Sequence, residues 1–309
     1  MAGACEGRVA LVTGASRGGT GTAAAIRLAA EGAKVAITAR TVEGLEATAA
    51  AVRDVGGEVL VLQCDLADPN GGRDTLVTRT EAELGPVDIL INNAATGGFK
   101  RFYKWSLSEF DTAMQVNVYA PWTLMQDVLP GMRERGSGWI VNLTTFCAEL
   151  PPGPPFPTNQ PATGGAVYGS SKAALNRLTL SVAVENAGKG IAVNALTPQS
   201  AIATPNLLAQ GYLDDAFFEP LDTMAEAIVA LATCDPSLTG RIAYSLQLLY
   251  ELRRPVLDVT GTSLVAGWQP DDLPPVIARQ SAALHSFGWV HPFEFHRPSS
   301  PDPVQGAPA

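Results

Sequence analysis

Tyr168 and Lys172 stand four residues apart in Tyr-Gly-Ser-Ser-Lys, so on a helix they share one face. A phenol titrates near pH ~10, too high to exchange protons at neutrality. An ammonium beside it favours the phenolate and pulls that value down. Bringing it to about 7 takes ~3 units, or ~4 kcal/mol of differential stabilisation. The pair would then act as a general acid/base on a hydroxyl or carbonyl. By itself Tyr-x-x-x-Lys is equally the pattern of a solvated contact, so the surrounding chain decides.

The elements needed to position this pair are legible in order. Residues Arg8–Thr13 (RVALVT) form a buried-strand pattern, followed by the loop Gly14-Ala-Ser-Arg-Gly-Gly-Thr-Gly21 and an alanine-rich helical stretch, Thr22–Glu31. Strand, glycine loop and helix together suit a dinucleotide, or form an ordinary glycine-rich βα loop: glycines allow a tight turn and close approach, and the helix N-terminus offers free N–H groups to a pyrophosphate. The second strand, Lys34–Ala39, ends at Arg40 rather than at an acid. Arg40 and Arg17 could clamp a 2′-phosphate, which favours NADP, with NAD as the alternative; both could also be surface arginines.

Helices over Val42–Val55 and Asn70–Leu84 alternate with strands over Glu58–Gln63 and Val87–Ile91. Asp65 follows the third strand and could accept from an adenine amino group or cap a turn. Asn92-Asn93-Ala94-Ala95 end the fourth, where small and amide residues suit a ligand in the crevice beyond the sheet or stabilise its edge. One long helix is expected over Ser106–Arg135, carrying Asn117, a buried amide in need of a partner. Further strands are expected at Trp139–Leu143, ending in Thr144-Thr145, at Ile191–Leu196, ending in Thr197-Pro198, and near Thr239–Ser245. Such alternation implies a parallel, doubly wound α/β sheet in three layers, Rossmann-like, over residues 1–245, with a C-terminal extension over 246–309 whose last residues are expected to be disordered.

The net charge of −9 argues against a general nucleic-acid or anionic-membrane surface. Four dispersed cysteines, at 5, 64, 147 and 234, fit free thiols in a reducing compartment, and no run is apolar enough to span a bilayer, so a cytoplasmic protein is expected. His291 and His296 are poorly spaced for a metal pair, and no metal site is expected.

With these motifs in this order (TGASRG, Asp65, NNAA at 92–95, Asn117, Thr145, YGSSK and VNALTP at 193–198), the chain over about residues 5–244 resembles the short-chain dehydrogenase/reductase family. The resemblance implies an NADP-dependent oxidoreductase interconverting a carbonyl and an alcohol. Tyr168 would be its acid/base. Lys172 would hold the nicotinamide ribose and lower the tyrosine. Thr145, where the family usually has serine, would bond the substrate oxygen, and Asn117 would support a proton relay. Gly14, Ser16, Arg17, Gly18, Gly19, Gly21, Arg40, Asp65, Leu66, Asn93, Ala94 and Pro198 would line the cofactor. A homo-oligomer is also implied.

Departures are visible too. The glycine loop is one residue longer than the family's. A proline-rich segment from Pro151 to Pro161 leaves the site as a pocket wall or a surface insertion. Gln199 replaces a glycine. Thr204–Met224 would form a lid in which Leu207, Leu208, Tyr212, Leu213, Phe217 and Phe218 line an apolar pocket or form an ordinary core face. From that lid, and from the lack of a basic cluster outside the cofactor site, a small apolar substrate is expected. The alternatives are an NAD-linked alcohol dehydrogenase and a non-catalytic nucleotide sensor that keeps the fold.

Overall fold

The computed structural model describes residues 3–16, 18–150, 165–209, 218–257 and 267–286, with no side-chain description at 206 and 282–286. Arg17, the proline-rich segment, Tyr212, Leu213, Phe217 and residues 287–309 with His291 and His296 lie outside the described residues.

The chain runs β1 (Val9–Thr13), α1 (Thr20–Ala30), β2 (Lys34–Ala39), α2 (Val42–Asp54), β3 (Val59–Gln63), α3 (Leu76–Leu84) and β4 (Val87–Asn92). It continues through α4 (Leu107–Met114), α5 (Ala120–Arg135), β5 (Gly138–Leu143), α6 (Ala166–Asn186) and β6 (Ile191–Thr197). Then follow β7 (Ala201–Ile202), α7 (Pro205–Leu208), β8 (Phe218–Glu219), α8 (Leu221–Ala232), β9 (Ile242–Tyr244), α9 (Ser245–Glu251) and α10 (Leu273–Ser286). Seven strands form one sheet in the order β3-β2-β1-β4-β5-β6-β9, every neighbouring pair parallel, while β7 and β8 pair apart from it.

Strand side chains alternate between the two faces. Ala10, Val12, Ile37, Ile89 and Val141 pack with α1, α2 and α8, whereas Leu11, Ala36, Leu90, Ile140 and Val193 pack with α3 and α5. The sheet is therefore buried on both sides, which is why its strands read as continuous apolar runs. The strand order reverses between β1 and β4, and this switch point opens the crevice at the strands' C-terminal ends.

The helix expected over Ser106–Arg135 is interrupted. Ser106 caps α4 with a capping box to Glu109, and residues Gln115–Tyr119 form a π-helical turn before α5. Pro121 supplies the reason: it has no N–H to return to the carbonyl four residues earlier, that of Asn117. The α3 region likewise starts late, because Gly72 adopts a left-handed φ of +85° and a 3-10 turn at Arg73–Thr75 precedes the helix.

Beyond β9 the chain returns to the same core, with Leu246, Leu249, Val256 and Leu273 all buried in the cluster around α1 and α8. Glu226 of α8, 1% exposed, ties this region to α1. It accepts from Arg27 Nε at 2.8 Å and from Arg254 Nε and Nη2 at 3.0 and 2.7 Å. Removing one partner from such a buried ion pair costs about 3–5 kcal/mol.

Candidate active site

The glycine loop and the end of β4 are built against each other. Gly14 has φ +69°, and a Cβ there would stand 2.7 Å from Ala94 Cα; a Cβ on Gly21 would stand 2.4 Å from Asn93 Nδ2 and 2.6 Å from Gly14 O. These two glycines are thus required by close approach. Gly18 also has a left-handed φ of +64°, yet a Cβ on it or on Gly19 would meet only Pro205 Cγ at 3.7 Å or Thr204 Cγ2 at 3.9 Å. Asn93 Nδ2 donates to Thr13 O at 2.8 Å and Gly14 O at 3.2 Å, and the backbone N–H groups of Asn93 and Ala94 both donate to Thr13 Oγ1 at 3.0 Å. Asn93 therefore fastens the loop.

Gly19 caps α1 with no side-chain bond, so the first N–H groups of α1 face the crevice with the helix's positive end. Thr204 and Pro205 stand across from them. Loop, helix end and crevice fit a pyrophosphate. At the β2 end Arg40 is exposed, and its carbonyl accepts from Gln63 Nε2 at 2.9 Å. Asp65 is exposed and caps a turn by accepting from Ala67 N at 3.0 Å, while Leu66 is buried. Ser16 and Pro198 are half-buried at their strand ends.

On the other side of the crevice, α6 carries both residues of the acid/base pair. Lys172, 1% exposed, donates from Nζ to Leu143 O at 2.7 Å and lies 6.0 Å from the Tyr168 ring centroid. Burial lowers the ammonium to about 7. Burial, followed by the Cys147 thiolate's repulsion, pushes the phenol up rather than down. Burial thus moves both groups toward their neutral forms, and the expected lowering of the phenol by Lys172 is not seen in this structure.

Gly169 lets α6 approach the turn after β5, since a Cβ would stand 2.4 Å from Cys147 O. That contact brings the Thr145 and Tyr168 segments together. Thr145 is 8% exposed, and its Oγ1 accepts from Cys147 N at 3.2 Å. Asn117 in the π turn is completely buried. Its Nδ2 donates to Thr96 O at 2.7 Å and Ser171 Oγ at 2.8 Å, and its Oδ1 accepts from Thr96 N at 2.9 Å. Ser171 Oγ donates onward to Tyr168 O at 2.8 Å. Asn117 thereby locks the β4 exit to the helix turn holding the phenol.

Two features escaped the sequence reading. Gln199 is buried, and its N–H donates to Glu219 Oε2 at 2.6 Å and Ser245 Oγ at 3.0 Å. Glu219 is wholly buried; it also accepts from Ser200 N at 3.3 Å and Thr223 Oγ1 at 2.5 Å, and burial raises it to about 7 against those bonds. The second feature is a basic cluster outside the cofactor loop, contrary to expectation: Lys100, Arg101 and Lys104 follow the end of β4 within twelve residues. Among the described residues no group of His, Cys, Asp or Glu could hold a metal, all four cysteines are free, and no helix is long and apolar enough to cross a membrane.

A parallel seven-stranded sheet with a glycine loop at its switch point defines a nucleotide-binding α/β protein, and the Tyr–Lys pair narrows the class. Residues 8–209 match the family model for short chain dehydrogenases, and the chain belongs to that family of NAD(P)-dependent oxidoreductases acting on alcohol and carbonyl groups. It is 37% identical over 202 residues to a 2-(R)-hydroxypropyl-CoM dehydrogenase of Xanthobacter autotrophicus, covering 64% of this chain and 76% of that one. A levodione reductase of Leifsonia aquatica is 36% identical over 201 residues, covering 64% and 70%. The crystal structure of a metagenomic short-chain oxidoreductase in complex with NADP superposes with a TM-score of 0.64 at 31% identity, covering 78% of this chain and 96% of that one.

Proposed function

We propose that the protein interconverts a carbonyl and an alcohol with NADP(H), Tyr168 being the general acid/base. The observation that carries this reading is the joining of Tyr168, Lys172 and Thr145 at one end of the crevice. Leu143 O, Gly169 and the Asn117–Ser171 chain hold them there.

When bound, the nicotinamide supplies or accepts the hydride. The glycine loop and the α1 N-terminus would hold the pyrophosphate, Arg40 the 2′-phosphate, and Lys172 the nicotinamide ribose. Gly14, Gly21 and Asn93 shape that loop. Thr145 Oγ1 would donate to the substrate carbonyl and orient it. Tyr168 would give that oxygen its proton. Asn117 acts through the helix turn, as a positioning residue.

Titration of the purified protein with NADPH and NADH, followed by nicotinamide fluorescence, tests the cofactor half. NADPH should bind at least tenfold tighter, and Arg40→Ala should remove most of that margin. Equal binding of both, or tighter NADH, would overturn the Arg40 assignment. Tyr168→Phe should keep NADPH affinity while losing at least a thousandfold in turnover of a ketone and aldehyde panel. Retained turnover would overturn the acid assignment.

A further inference from the structure

The segment leaving β4 runs Thr96-Gly-Gly-Phe-Lys-Arg-Phe-Tyr-Lys-Trp105, three cations and no acid in a chain whose net charge is −9. It passes directly over the acid/base. Gly97 has φ +152°, and a Cβ there would stand 2.9 Å from Tyr168 Cδ2; Phe99 meets the Tyr168 ring edge-on at 6.5 Å between centroids. Past that contact the chain forms a turn at Phe102–Lys104.

The segment's aromatic side chains are not folded inward: Phe99, Phe102 and Tyr103 are 56%, 77% and 76% exposed. Exposed aromatics in a cluster mark a surface for a partner or ligand. Lys100 is taken up, paired with Glu109 and stacked over the Trp105 ring at 4.3 Å. Trp105 in turn donates from Nε1 to Lys100 O at 3.1 Å, which stiffens the turn. Arg101 and Lys104 are exposed, and among the described residues no carboxylate pairs with either. Two free cations set among aromatics at the crevice mouth attract an anion with an apolar body; the rest of this acidic surface would repel it.

We infer that the 99–104 segment is a docking apron for the anionic handle of the substrate: the carbonyl is presented to Tyr168 on a phosphate-bearing carrier, whose phosphates meet Arg101 and Lys104. This inference rests on the carbonyl-reductase reading and names its substrate class.

The test is calorimetric binding of two probes with the same reacting group, acetoacetyl-coenzyme A and the uncharged acetoacetyl-N-acetylcysteamine thioester. Both are titrated into full-length protein saturated with NADP, so that the nucleotide of the first probe cannot occupy the cofactor crevice. The coenzyme A thioester should bind at least tenfold tighter. The margin should shrink several-fold between 50 and 300 mM salt, as expected for screened surface charges at roughly these ionic strengths. Arg101→Glu/Lys104→Glu should abolish it. Equal binding of the two probes, no binding of either, or a margin that survives in the double variant would overturn the apron. Turnover of the two probes separates the two readings. A binding margin without turnover keeps the apron and sinks the reductase; turnover of the uncharged thioester without a margin does the reverse.

Discussion

Two loops meet the crevice at the C-terminal edge of the sheet, and they are held by different physics. After β1, the backbone is fastened by neutral groups: Thr13, Asn93 and two glycines at which a Cβ would stand 2.4–2.7 Å from its neighbours. After β6, the corresponding glycine is absent and a buried carboxylate does the fastening, Glu219 reaching Gln199, Ser200 and Thr223. At Gly14 and Gly21 of the first loop nothing larger than hydrogen fits. The second is held by a group whose protonation changes with pH. The same fold thus carries one loop insensitive to solution conditions and one that is not.

The sharpest way to break the comparison is steric. Gly21→Val places carbon against Asn93 Nδ2 and Gly14 O, and should cost about 3–5 kcal/mol of stability, at the upper end for overpacked sites. Gly18→Ala meets nothing nearer than Pro205 Cγ at 3.7 Å and bears only the left-handed backbone penalty, about 1 kcal/mol. Urea unfolding of the two variants measures the gap. Equal losses would show that the lengthened loop, not the β4 contact, sets the requirement.

This half of the molecule was readable from sequence because its signals are local. Strand, loop and helix follow within a few residues, and Tyr168 and Lys172 share one turn of helix spacing. The β6 half was not. Glu219 meets Gln199 from 20 positions away and Ser245 lies 46 from Gln199, and no periodicity links such residues. The interruption at 115–119 did have a signal in Pro121, masked by the strong apolar pattern on both sides. The basic apron was hidden in the opposite way: three cations in one short segment vanish in a chain-wide charge of −9. Burial accounts for the phenol, since spacing shows that a cation is near but not how much water both groups lose.

The electrostatic prediction is next in size. Glu219 titrates near 7 in the folded chain and near 4.5 when unfolded. Between those values the native state holds the extra proton, so its contribution is greatest below about pH 4.5 and falls as pH rises through 7, by up to about 3 kcal/mol. Lys172, lowered from 10.5 to about 7, acts in the adjoining window with the other sign: there the unfolded state holds the extra proton, and stability rises from pH 7 toward 10. Glu219→Gln can keep an oxygen toward Gln199 N and an amide toward Thr223. It should flatten the fall between pH 5 and 7 and leave the alkaline rise. Denaturation midpoints across pH 5–9 decide it; an unchanged acid-side slope in the variant would assign that slope elsewhere.

The smallest effect probes what joins the acid/base helix to the β1–β4 half. Asn117→Ala removes three hydrogen bonds at once and leaves Thr96 N, Thr96 O and Ser171 Oγ short of partners. Unsatisfied buried groups cost about 1–3 kcal/mol, and the π turn can relax around a smaller side chain, so about 2 kcal/mol is expected. The informative readout is kinetic. If Asn117 only stabilises the fold, turnover at a temperature well below unfolding should match wild type. If it positions Tyr168 through Ser171, kcat should fall tenfold or more while the KM for cofactor stays within twofold, because the glycine loop is fastened by Thr13 and Asn93. Asn117→Ser, which restores one donor toward Ser171, should then recover part of kcat without recovering stability in proportion.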